Sequence, residues 1–306
     1  MPLENFKYET LPLNDDYEGK VEATFISSNN NRKGNTPILH IHGFIDYFFH
    51  PHLAKRCNEE GYNLYALELR KYGHSMLSHQ HPNYCKDLHE YFEEIDIAIK
   101  KIYAIDGKKI VLFGHSTGGL IASLYADHGN EKEKLAKVVL NSPFLEFNAP
   151  DLVRKALVPV LKLGASFGPY VNLPNAVAPF YPKSIHKDFN GEWDFDLKYK
   201  PIKGFPAYFK WMLAIGNGHK FIKRGLNIKI PVLLMHSSSS FLPSKWDEKI
   251  HTNDIVLNVE HMKKYGPTLG DDVKLVEIKD AKHDIFLSNK ESRELAFKAL
   301  FDFLNS

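Results

Sequence analysis

Residues 109–124 read KIVLFGHSTGGLIASL, a serine set between glycines with one apolar run before it and a second after it. The first run, KKIVLFG, has the length and side chains of a buried strand, and GGLIASLYADHG continues as a helix. A chain that turns so sharply from strand to helix needs small residues beside the corner, or neighbouring backbone would clash. Gly114-His115-Ser116-Thr117-Gly118 fits this G-x-S-x-G pattern. Two readings are open here: a glycine turn with an incidental serine, or a corner that holds the Ser116 hydroxyl out toward a substrate. The following helix aims free N–H groups back at the corner, where negative charge is stabilised.

Strands KVEATFISS (20–28), TPILHIHG (36–43) and YNLYALELR (62–70) are expected ahead of this corner, with a helix around PHLAKRCNEEG. LHEYFEEIDIAIKKI places Leu88, Tyr91, Phe92, Ile95, Ile99 and Ile102 at helical spacing. After the corner come KVVLNSP (137–143), IPVLLMHS (230–237), VKLVEIKD (273–280) and a last amphipathic helix, ESRELAFKALFDFLNS. Apolar strands alternating with amphipathic helices predict an α/β fold, a mostly parallel sheet with helices on both faces. Residues 143–229 interrupt the alternation with a proline- and aromatic-rich stretch far longer than an ordinary connection. They are expected to form a cap inserted into a core of residues 1–142 and 230–306.

Over 306 residues, 43% are hydrophobic, 25% are charged and the net charge is +2, with no basic stripe. That balance argues against a nucleic-acid partner. Cys57 and Cys85 allow one bridge at most and match no zinc spacing. No basic-then-apolar leader is visible, and no run approaches the ~18–20 apolar residues of a membrane span. A soluble, cytoplasmic protein is the expectation.

A serine hydroxyl attacks a carbonyl only when a base takes its proton. Among sixteen histidines, His283 alone lies just past the last predicted strand, where the order nucleophile, acid, histidine would put that base. His79, His128 and His219 read as ordinary surface or loop residues. The acid should follow PVLLMHS; Asp247 and Asp254 are both available, Asp254 standing before IVLNVEHM, which reads as the start of a helix that it would otherwise merely cap. Oxyanion donors are expected from the N–H of Thr117 and from that of Phe44, after HIHG. His40 and His42 on one strand face are a weaker pattern, a metal pair with no supporting cysteines or carboxylates. Within 143–229, Phe167, Tyr170, Phe180, Tyr181, Trp193, Phe195, Phe205, Tyr208, Phe209 and Trp211 suit a covered apolar pocket, most of them expected in the cap's own core. Glu192, Asp194 and Asp196 in GEWDFD are candidates for holding a substrate ammonium, against the simpler reading of a solvated turn.

These segments resemble the α/β-hydrolase fold, and within it the monoacylglycerol lipases, lysophospholipase-like esterases and serine aminopeptidase-type hydrolases. LHIHGFIDYFFHPHLA, GYNLYALELRKYGHS, LFGHSTGG and KHDIFL stand in that family's order. GEWDFDLKYKP and HSSSS…NDIVLNVEHM are similar to stretches of bacterial and fungal lysophospholipase-like members. The resemblance implies Ser116 as nucleophile, Asp254 as acid, His283 as base, and Phe44 and Thr117 as oxyanion donors. It further implies hydrolysis of a small-molecule ester or lipid through an acyl-enzyme, with no metal or organic cofactor. The departure is the long segment between residue 237 and Asp254, since most members carry the acid a few residues past the strand. An aminopeptidase-type amidase, an acyltransferase on the same residues, and a ligand-binding module on a hydrolase fold are the alternatives. Carboxylate-nucleophile chemistry does not fit a serine at position 116.

Overall fold

The computed structural model describes residues 5–173 and 179–306. Its strands, in chain order, are β1 (Phe6–Pro12), β2 (Glu22–Ser28), β3 (Thr36–Ile41), β4 (Tyr62–Glu68), β5 (Ile110–His115), β6 (Leu135–Asn141), β7 (Asn172–Leu173), β8 (Ala207–Tyr208), β9 (Val232–Ser237) and β10 (Val273–Ile278). The helices are α1 (Pro51–Glu59), α2 (Phe92–Asp106), α3 (Thr117–His128), α4 (Asp151–Phe167), α5 (Phe180–Ile185), α6 (Phe209–Arg224), α7 (Val259–Tyr265) and α8 (Lys290–Leu304).

Eight strands make one sheet in the order β1-β2-β4-β3-β5-β6-β9-β10. β1 and β2 pair antiparallel with their neighbours, and every pairing from β4 to β10 is parallel. Side chains alternate between the two faces of a strand, so continuous apolar runs supply two cores at once. On one face Val111 and Phe113 of β5 pack with Leu53 and Cys57 of α1 and Phe297 and Phe301 of α8. On the other, Ile110 and Leu112 pack with Ile95 and Ile99 of α2 and Leu120 and Leu124 of α3. The expected mostly parallel sheet with helices on both faces is what the chain builds.

β1 is an addition to the sequence reading. FKYETLP buries only Phe6 and Leu11 and lies at the sheet edge, so its pattern is too weak to stand out from a loop. Cys57 and Cys85 are both buried and free. No helix among the described residues is long and apolar enough to cross a membrane.

Chain order reverses between β3 and β5, which lie side by side although β4 intervenes in sequence. In open α/β sheets such a switch point leaves a crevice at the carboxyl ends of the strands. Residues between β6 and β9 form an insert beside that crevice, with α4 packed on α6 and a two-stranded ribbon of β7 and β8. Residues 174–178, part of the predicted cap, lie outside the described residues, as does the side chain of Phe167. Of the insert's aromatics, Phe209 packs with Leu161, Ala165 and Leu213 in a small core of the insert's own, and others pack outside it. Tyr208 and Trp211 join the sheet's main cluster, while Tyr181 and Phe195 pack on Tyr47, Phe49 and Leu287.

Candidate active site

The parallel register pairs Ile41 of β3 with Gly114 of β5, so the residues just past each strand run side by side at the crevice. Phe44 and Thr117, each three residues beyond that rung, face the same cavity as Ser116. Ser116 has φ 54° and ψ −117°, a left-handed conformation that costs a non-glycine residue about 1–3 kcal/mol. Its surroundings hold it there: Ser116 N donates to Asn141 O at 3.0 Å, and Ser116 O accepts from Gly119, Leu120 and Phe144 N–H groups. A Cβ on Gly118 would be driven into the carbonyl oxygens of Ile41 and His42, and one on Gly114 into that of Gly118. Both glycines are therefore required by close approach of backbone.

His283 lies five residues past β10. Its Nε2 is 2.9 Å from Ser116 Oγ, and its Nδ1 is 2.9 Å from Asp254 Oδ2. All three side chains are buried. The other oxygen of Asp254 accepts the Val256 and Leu257 N–H groups at 2.9 and 2.8 Å, which fixes the carboxylate's orientation. Chemically, an imidazole oriented by a carboxylate can take the proton of a hydroxyl as it attacks, then return it to a leaving group.

The long segment before Asp254 leaves and rejoins the sheet's end at one rung. Ser240 bridges to Asp254, Phe241 N donates to Asp254 O, and Asp254 N donates to Ser239 O. Asp254 thus sits beside the end of β9 despite its distance along the chain. Asp247 is elsewhere on the excursion, capping a short turn through Lys249 N. The helix expected directly after Asp254 begins only at Val259, and its N-cap is Asn258. Ile255, Val256 and Leu257 stay non-helical and line the cavity instead.

Neither the Phe44 N–H nor the Thr117 N–H has a protein acceptor among the described contacts. The Thr117 group belongs to the unpaired first turn of α3, which favours negative charge. The loop carrying Phe44 runs so close to Ser116 that a Cβ on Gly43 would stand 3.0 Å from the serine Cβ. Ile45, next in that loop, has φ 52°, an outlier for a β-branched residue.

The cavity measures about 510 Å³ and is mostly apolar, with Phe144, Phe147, Leu157, Trp211 and Met212 on its walls. Asp46 is the one carboxylate among its described lining residues, and Lys200 Nζ meets its Oδ1 at 2.8 Å. Burial works to raise the Asp46 carboxyl, but Lys200 and the nearby histidines outweigh it and hold it below its ordinary range. Glu192, Asp194 and Asp196 do not line the cavity; Asp194 pairs with Lys187, and Asp196 accepts Lys198 N.

Behind His283 lies a polar group that the sequence reading passed over. Asp284 accepts from His50 Nε2 and Asn141 Nδ2, both at 2.8 Å. Burial pushes the Asp284 carboxyl up, and His115, His50 and Asn141 together hold it well below the usual carboxylate range. His115, on the corner itself, is buried and its imidazole is lowered to about 4. His42 uses both ring nitrogens: Nδ1 donates to Gly43 O, and Nε2 accepts from Leu69 N. His40 packs among Phe48, His50 and Phe113. His219 is not a surface residue; it is buried on α6, donates from Nε2 to Phe144 O at 2.9 Å, and burial lowers it to about 4. The signal available for Asp46 was a lone acid in GFIDYFF, and for Asp284 an acid next to the candidate base.

A family model described as serine aminopeptidase, S33, matches residues 34–288. Over 138 residues the chain is 31% identical to a Schizosaccharomyces pombe protein called "Putative monoglyceride lipase"; the match takes in 42% of this chain and 36% of that relative's length. In three dimensions the chain is similar to a soluble variant of monoglyceride lipase from Saccharomyces cerevisiae, with TM-score 0.69 and 17% identity over 100% of this chain and 98% of the other. It is also similar to a monoacylglycerol lipase of Paleococcus ferrophilus, with TM-score 0.66 and 21% identity over 93% and 98% of the two chains.

Proposed function

The chain belongs to the serine aminopeptidase, S33 family and has the α/β-hydrolase fold, and on that premise we propose that it hydrolyses carboxylic esters through an acyl-enzyme on Ser116. His283 removes the Ser116 proton as Oγ bonds to the ester carbonyl carbon, and Asp254 steadies the imidazolium that forms. The carbonyl oxygen becomes an oxyanion held by the N–H groups of Phe44 and Thr117. Collapse expels the alcohol, which takes the proton from His283; water then repeats the sequence and frees the acid. The observation that carries this reading is the run of two 2.9 Å contacts from Ser116 through His283 to Asp254 at the floor of an apolar cavity.

The wall residues favour a substrate with an acyl chain, in keeping with the monoglyceride lipases named among the similar proteins. The insert acts as a cap, supplying Leu157, Trp211 and Met212 to that wall. An aminopeptidase needs an unneutralised acid in the cavity to receive a substrate ammonium. Lys200 already neutralises Asp46, and the GEWDFD acids lie outside. Esters are therefore preferred over aminoacyl amides.

The test is hydrolysis of a panel of monoacylglycerols, lysophospholipids and aryl esters beside aminoacyl amides. Ser116→Ala is expected to lower ester turnover by about 10³-fold or more and to abolish labelling by a fluorophosphonate. Wild-type turnover in Ser116→Ala would remove the serine from the mechanism, and a wild-type protein inert to both would favour a ligand-binding module.

A further inference from the structure

Four consecutive residues after Gly43 are fastened by the insert. The Phe44 ring stacks on Trp211, with centroids 4.0 Å apart and planes 24° from parallel. Lys200 Nζ donates to Ile45 O at 3.3 Å and to Asp46 Oδ1 at 2.8 Å. Tyr47 Oη accepts the Asp196 N–H at 2.6 Å. The sheet's own polar grip on this loop is at its two ends, where His42 Nδ1 donates to Gly43 O and Phe48 N donates to Glu68 Oε1. Between those ends stands Ile45, in a backbone region that a β-branched side chain leaves unless its surroundings prevent it.

We infer that Lys200 is a positioning residue that sets the Phe44 N–H for the oxyanion by gripping the Ile45 carbonyl and the Asp46 carboxylate, so that docking of the insert completes the reactive centre as well as covering it. The inference rests on Phe44 as an oxyanion donor, as proposed above. Lys200 is buried, and its ammonium joins the insert to the two residues that follow Phe44. Without it the strained peptide at Ile45 can relax, and the donor moves away from the point where charge develops. A donor displaced by a fraction of an ångström weakens binding of the transition state while leaving ground-state binding of the ester nearly intact.

The experiment compares wild type, Lys200→Met, Lys200→Arg and Asp46→Asn on an aryl acetate and on a long-chain monoacylglycerol. Affinity for a trifluoromethyl ketone, whose serine adduct carries an oxyanion, is measured in parallel. Lys200→Met should lower kcat on both esters by a similar factor, about 10- to 100-fold, with KM for the acetate within about twofold. Affinity for the ketone should fall by the same factor as kcat. Lys200→Arg, which keeps the charge and donors, should recover most of the loss. Asp46→Asn, which leaves Lys200 its acceptor oxygens, is the milder probe if Lys200→Met does not fold, and should lower kcat and ketone affinity together by a smaller factor. Unchanged kcat on the acetate in a folded Lys200→Met or Asp46→Asn variant would overturn the inference. So would a loss confined to the monoacylglycerol, which would make Lys200 a substrate contact. Wild-type inactivity on both esters would instead overturn the hydrolase reading itself.

Discussion

The Ser116 corner is fastened by its neighbours in the sheet, whereas the loop carrying Phe44 is fastened by the insert. On the first side the bonds are backbone to backbone and short in topology: Ser116 N to Asn141 O across adjacent strands, and Ser116 O to the first turn of α3. On the second side each contact between residues 196–211 and residues 44–47 uses at least one side chain: a ring stack, two bonds from the Lys200 ammonium, and the Asp196 N–H donated to Tyr47 Oη. A hydrogen-bonded sheet interior opens only with global unfolding, while side-chain contacts to an insert come apart at lower cost. The two sides of one cavity therefore have different tolerance to change, and variants on each should behave differently.

The largest effect should come from the sheet side. Asp254→Asn is expected to reduce ester turnover by about 10²- to 10⁴-fold with an unchanged melting curve shape, because His283 loses the partner that orients it. Asp247→Asn should leave turnover at the wild-type level, since Asp247 only caps a turn. A steady-state assay of the two variants checks both, and the reverse ranking would break the assignment of the sheet side. Trp211→Ala probes the other side: removing a buried indole costs about 3–5 kcal/mol of stability. Loss of the stack on Phe44 should also lower kcat on a short ester by about tenfold. Thermal denaturation and turnover together decide it, and full kcat in a destabilised protein would reduce the insert to packing.

The smallest effect lies in two buried histidines, His115 on the serine corner and His219 on α6 of the insert. His115 and His219 are both lowered from 6.5 to about 4 by burial. Between roughly pH 4 and 6.5 the unfolded chain binds protons that the folded chain excludes. Stability is therefore complete above pH 6.5 and falls as pH drops through that window. His219→Gln, which can keep a hydrogen bond to Phe144 O, should flatten the slope of stability against pH by up to one proton, about 1.4 kcal/mol per pH unit. Denaturant midpoints measured from pH 4.5 to 7 would detect the change.

The sequence was most informative where structure is local. Strand-length apolar runs gave the sheet, and the glycine-flanked serine and the histidine past the last strand led to two side chains that meet at 2.9 Å. Asp254 was harder to place, because a bridge between Ser240 and Asp254 brings it to the end of β9 and no pattern announces such a bridge. Asp284 stands beside the candidate base, but its partners are illegible for the same reason: His50 and Asn141 stand 234 and 143 positions away from it in the chain. Nothing in KYKPIKG sets Lys200 apart from its neighbouring lysines, although its ammonium is buried against Asp46. Edge strand β1 and buried His219 show the opposite limit, since neither has neighbours in sequence that betray its surroundings.

The chain that departs at Ser240 and comes home at Asp254 has a consequence for how this protein can vary. Both ends of the detour are pinned to one spot, so a change of length at its exposed Ser244 and Lys245, ahead of the buried Ile250, should leave the carboxylate in place; each doubling of a flexible loop's length costs only about 0.6 kcal/mol. Leu242 and Pro243 on the detour form part of the cavity's rim. The doorway can be recut there while the machinery behind it stays still.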